Sequence, residues 1–106
     1  MDDGDDILGE VAFEAEVIHW RGPSPYFYAP VPQGLADEVR SLARIASYGW
    51  GVVPVEARLA EVAFTTSLFP KDGTYLVPLK DAVRRAAGVT AGDRVSVRVR
   101  VRAPSR

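Results

Sequence analysis

From Val11 the chain alternates, with Phe13, Ala15 and Val17 on one side and Glu14 and Glu16 on the other. That is the period of a half-buried strand, and it predicts one over 11–20. The strictest alternation comes last: Val95, Val97, Val99 and Val101 interleave with Arg94, Ser96, Arg98, Arg100 and Arg102, predicting a strand over 94–102. Between them, aromatic Tyr26-Phe-Tyr28 predicts a strand over 26–31 that Pro30 and Pro32 stop. Val55, Ala57 and Leu59 against Glu56 and Arg58 give one over 53–59. Two more follow at 62–69 and 74–77, the latter closed by Pro78.

Two stretches carry the helical period instead. Leu35, Val39, Leu42 and Ala46 form one stripe, predicting a helix from Gly34 to Tyr48 that stops at Gly49. Leu79, Val83 and Ala86 or Ala87 predict a shorter helix closed by Gly88. Arg21-Gly-Pro-Ser-Pro25, Ala60-Glu61, Lys71-Asp-Gly73 and Ala91-Gly-Asp93 read as turns.

The order strand, strand, helix, strand thus occurs twice, and Val31-Pro32 before the first helix matches Val77-Pro78 before the second. Each half has three strands and no means of burying its own valine face. Two halves facing across a pseudo-two-fold axis predict a mainly β fold with two helices: a six-stranded barrel built from two β-β-α-β repeats, a helix at each end. The first and last strands would then be neighbours, with Glu14 and Glu16 opposite Arg98 and Arg100. The barrel domain is expected over 10–103, between a disordered acidic tail at 1–9 and a C-terminal tail at 104–106.

Phe13-Glu-Ala-Glu-Val17, Gly51-Val-Val-Pro-Val55, Thr66-Ser-Leu-Phe-Pro70, Tyr75-Leu-Val-Pro-Leu79, Val83-Arg84-Arg85-Ala86 and Gly92-Asp93 together resemble the domain of unknown function 1905 family, over residues 11–102. The resemblance implies a small bacterial domain with a double-split, pseudo-symmetric β-barrel capped by helices. Its members occur alone or ahead of a YdeI/OmpD-associated segment, which these residues do not contain. Swapped-hairpin barrels of antitoxins and transition-state regulators build a similar barrel from two chains. The family carries no established activity, and Phe64 stands where its pattern calls for a tryptophan.

Composition narrows the chemistry. The 106 residues include no cysteine and a single histidine, so disulfides, thiolate catalysis and Cys- or His-rich metal sites are excluded. No apolar run reaches the ~18 residues of a membrane span. The acidic start, Met1-Asp-Asp-Gly-Asp-Asp6, is unlike a signal peptide, and the cytoplasm is the expected compartment. No cofactor and no metal are expected. The net charge of −1 and the glutamates beside the arginine series argue against nucleic acid.

His19 lacks a nucleophile or carboxylate partner in the sequence, Thr65-Thr-Ser67 lacks a triad or a glycine cradle, and no carboxylates are spaced for acid/base work. No catalytic residue is assigned, and the reading leans against an enzyme. Aromatics at strand ends and in loops (Trp20, Tyr26, Tyr28, Trp50 and Tyr75) plug a barrel mouth or line a pocket there. Lys80 and Arg84, four apart on one helix face, join Lys71 as cations that could attract an anion. The expected ligand-binding set is Trp20, Tyr28, Trp50, Ser67, Lys71, Lys80 and Arg84. The reading is a monomeric, non-enzymatic binding module for a small ligand or a protein partner. Its alternatives are a cyclase- or isomerase-type enzyme with a cavity in the barrel, and a nucleic-acid-binding regulator.

Overall fold

The computed structural model describes residues 7–20, 26–46 and 53–103. In chain order the elements are β1 (Ile7–Glu16), β2 (Ile18–Trp20), β3 (Tyr26–Pro30), α1 (Gln33–Ala46), β4 (Val53–Leu59), β5 (Val62–Lys71), β6 (Thr74–Leu79), α2 (Asp81–Ala87) and β7 (Arg94–Arg102). The strands pair antiparallel in the order β1-β7-β4-β5-β6-β3-β2, a mainly β sheet that curls into a half-barrel.

Seven strands form where six are predicted, because the first breaks at Val17. The β1–β7 ladder ends at Glu16 opposite Arg94, and β2–β3 pairing begins at Ile18 opposite Tyr28. Between them Val17 donates its N–H to the Asp93 carbonyl and accepts the Gly92 N–H, each at 2.8 Å. Both backbone groups are thus satisfied by the turn before β7, outside any ladder, while the side chain is buried. β5 makes a similar passage unbroken: it pairs with β4 up to Leu68 and with β6 from Phe69.

The predicted neighbours β1 and β7 are paired, but in another register. Glu14 faces Ser96 and Glu16 faces Arg94, while Arg98 and Arg100 face Ala12 and Glu10. An even shift keeps every valine inward and every charge outward, so alternation alone cannot distinguish the two registers. The ion pairs move accordingly. Glu10 takes Arg98 at 3.3 Å and Arg100 at 3.4 Å, Glu14 takes Arg94 at 3.3 Å, and Glu56 of β4 takes Arg100 at 3.8 Å and also Arg102. β1 also starts earlier than the alternation predicts: Ile7 and Gly9, assigned to a tail, pair with Arg102 and Val101. Residues 1–6 and 104–106 lie outside the described residues.

The core is the inward face of the sheet under α1. Val53, Val55, Ala57 and Leu59 of β4 and Val95, Val97, Val99 and Val101 of β7 are buried, joined by Leu68, Leu76 and Val77. In α1 the buried residues are Ala36, Val39, Ala43 and Ala46. The expected stripe therefore rotates: Val39 and Ala46 stay in, while Leu35 and Leu42 move to its flank. Alanines let the helix approach the sheet, and Leu42 lies over Gly9, where an added Cβ would come within 2.9 Å of its methyls.

Helix α1 is anchored to the β5–β6 hairpin. Asp72 and Gly73 have φ of 53° and 82°, as a tight two-residue turn requires. Gln33 donates to the Asp72 carbonyl at 3.1 Å and Arg40 to the Gly73 carbonyl at 2.9 Å. The buried Thr74 hydroxyl donates to the Val31 carbonyl at 2.7 Å, and the Val31 N–H donates to Tyr75 at 2.9 Å. β6 runs through Pro78 to Leu79 rather than stopping at Val77, because its pairing with β5 ends at Leu76 and leaves that edge without a ladder to serve. Gly88 closes α2 in the left-handed conformation with its N–H on the Arg84 carbonyl at 2.8 Å.

Two glycines respond oppositely to the same change. Gly92 holds φ at +92°, and Gly34 sits in α1 with open space where its Cβ would be. Gly92→Ala is expected to cost about 1–2 kcal/mol, and Gly34→Ala to stabilise by about 0.4–1 kcal/mol. Urea denaturation of the two variants checks both signs.

Candidate functional site

β2 is an edge strand paired only with β3, and all three of its residues are exposed. Ile18 and Trp20 are 38% and 40% exposed, two of the few large apolar side chains the described surface leaves open. Alternation puts both on one face of the β2–β3 ribbon and His19 on the other.

On the first face the Trp20 ring meets Tyr28 edge-on at 6.0 Å between centroids. Tyr28 is buried and meets Phe69 edge-on at 5.3 Å. The Lys71 ammonium, from the last residue of β5, lies 3.9 Å above the centre of the Trp20 ring. The curl of the sheet thus brings the end of β5 over the edge strand. Beside them opens a depression of about 390 Å³, lined by Ile18, His19, Trp20, Pro30, Lys71, Asp72, Thr74 and Leu76. Its lining combines apolar side chains, the Trp20 ring and one cation, Lys71, with the Asp72 carboxylate next in sequence, and the ring and cation suit a flat apolar group with an acidic end.

The opposite face holds a different cluster. His19 stacks on Phe27 at 4.6 Å, and the Arg84 guanidinium covers Phe27 from 3.6 Å. Arg84 also pairs with Asp81 at 2.6 Å, so its charge is committed. Lys80, exposed, immediately precedes α2.

Of the seven residues expected at a ligand site, Trp20, Tyr28 and Lys71 are therefore brought together. Arg84 stands on the far face of the ribbon as a cover for Phe27. Ser67 is half-buried in β5 opposite Pro54 and does not line the depression. Trp50 lies outside the described residues, as does the side chain of Tyr26. Tyr75 is a core residue. Among the described residues no cluster of three or more His, Asp or Glu could hold a metal ion, and no helix is long and apolar enough to cross a membrane.

A family model described as a domain of unknown function, DUF1905, matches residues 13–99. The chain belongs to the DUF1905 family. No curated protein matches it. The DUF1905 match takes in every residue of the Trp20–Lys71 corner, so the corner is part of the family domain and not an appendage to it. Sequence reasoning missed Ile18 and Phe69. Their signal was faint: Ile18 is apolar on the outward phase of the first strand, and Phe69 sits next to a proline where the strand changes partners.

Trp20 and Tyr28 separate rim from plug. Tyr28→Ala is expected to cost about 3–5 kcal/mol, the usual range for removing a buried aromatic ring. Trp20→Ala is expected to cost about 1 kcal/mol or less, since it is partly exposed and loses one edge contact and one surface cation–π contact. Thermal unfolding of both variants decides it.

Proposed function

We propose that the domain is a non-enzymatic binding module, and that its site is the corner formed by Trp20, Tyr28 and Lys71. The observation that carries this is the Lys71 ammonium held over a partly exposed Trp20 beside a depression of about 390 Å³. An exposed aromatic–cation pair contributes only about 0.5–1 kcal/mol to the fold, too little to account for leaving Ile18 and Trp20 open to water. The ligand class it suits is a small molecule with a planar apolar ring and a carboxylate. The ring would lie on Trp20 and Ile18, and the carboxylate would meet Lys71.

The competing reading, a cyclase or isomerase with a cavity inside the sheet, has less to draw on. The space under β4 and β7 is filled by Leu59, Val99 and Val101 at 0% exposure, and the corner opens on the outside.

The proposal includes a duplicated architecture and a single-chain unit. Both halves run strand, strand, helix, strand if β1 and β2 count as one bent strand. Exchanging the halves also leaves the strand order unchanged, since β1·β7 maps onto β5·β4 and β6·β3 onto itself. A chain carrying both halves has no need of a second copy to complete its sheet.

Thermal-shift measurements with benzoate, indole carboxylates and aliphatic carboxylates test the site. A ligand at a hundred times its Kd adds about 2.7 kcal/mol, a shift of many degrees for a domain this small. The expected result is a shift for the aromatic acids alone, lost in Trp20→Ala and Lys71→Ala. No shift with any class, or one that persists in both variants, would remove the corner as the site.

A further inference from the structure

The outer face of β1, β7, β4 and β5 carries a second arrangement, independent of the Trp20 corner. Its arginines mostly face carboxylates: Arg94 has Glu14, Arg100 lies between Glu10 and Glu56, and Arg102 has Glu56. The row across the middle breaks this pattern. There Arg98 of β7 stands directly opposite Arg58 of β4, and both are exposed. Directly opposed residues in an antiparallel pair have Cβ atoms only about 4.5–5.5 Å apart, so like charges there repel. Among the described residues Arg58 has no carboxylate partner, and Arg98 reaches only Glu10, through Nε.

The neighbours in that row leave room. Ala12 flanks Arg98 on β1 and Ala63 flanks Arg58 on β5, both exposed. Two depressions, of about 540 and 440 Å³, meet at this row, and both are lined by Arg58 and Arg98. Thr65 lines the first and Ser96 the second, each a hydroxyl donor.

We propose that Arg58 and Arg98 form a binding site for one small dianionic oxyanion, a phosphate or phosphate monoester. The register sets Arg58 and Arg98 opposite each other on neighbouring strands, and their guanidinium groups, turned toward a shared anion, would supply paired N–H donors matched to adjacent oxygens of such a group. A bound dianion attracts both guanidinium groups and so offsets the Arg58–Arg98 repulsion. Glu10 and Glu56 on one side of the row and Glu14 on the other surround the gap. They admit a compact anion and repel an extended polyanion, which selects a small phosphate over nucleic acid.

The test is titration of the folded protein with inorganic phosphate, followed by backbone amide NMR at constant ionic strength set with chloride. Saturable shifts are expected at Ala57–Leu59, Ala63 and Val97–Val99. In Arg58→Gln they should weaken at least about tenfold in affinity, whereas Arg94→Gln, on a paired arginine of the same face, should stay within about twofold. In phosphate-free buffer Arg58→Gln should melt at or above the parent temperature, because a repulsive pair is removed. A clear drop would mean that Arg58 already has a partner in the fold, and would overturn the proposal. So would shifts that grow without saturating, shifts that persist in Arg58→Gln, or tighter binding of duplex DNA than of phosphate to the same residues.

Discussion

Strand β7 needs a partner on each side, and the fold is arranged to supply them. Its inward residues, Val95, Val97, Val99 and Val101, are all buried, and its outward ones carry four arginines. A strand this polarised can be stable only with one face against a core and both edges paired. β1 takes one edge over Arg94–Arg102 and β4 takes the other over Val97–Val101. The remaining elements follow from that demand. β5 extends β4 and then carries the chain to β6, and α1 closes over the valine face. The turn before β7 catches Val17 just where β1 must leave the ladder.

The two faces of the molecule then divide the work. Inside there is little polar chemistry; the buried Thr74 hydroxyl is bonded to Val31. Outside, the glutamates of β1 and β4 balance most of the β7 arginines, pairs worth about 0–1 kcal/mol each and more important for register than for stability. The two proposed binding sites lie where this order ends. One such place is the short edge strand β2, where Trp20 is partly open under Lys71; the other is the row where Arg58 and Arg98 meet without a carboxylate between them.

Much of the strand content was legible because side-chain alternation reports which face is buried. β4 matches its expected span, and Lys71-Asp-Gly73 and Ala60-Glu61 are the turns their residues suggest. Three features were not legible. The break at Val17 is made by backbone hydrogen bonds to Gly92 and Asp93, which leave no trace in side-chain pattern. The β1–β7 register differs from the expected one by an even shift, to which alternation is blind. In α1, Ala36 and Ala43 displace Leu35 and Leu42 from the core because close approach of helix and sheet outweighs apolar volume. Of the seven residues named for a site, Trp20, Tyr28 and Lys71 lie together, a grouping the sequence could not show because the proximity of β2 to the end of β5 depends on the curl of the sheet.

Native-state hydrogen exchange followed residue by residue addresses the central role of β7 most directly. The amides of Val97–Val101, paired on both sides, should exchange last and only through global unfolding, with those of Ile18–Trp20 exchanging far faster by local opening. Exchange at Val97–Val101 as fast as in the β2 edge would contradict the account.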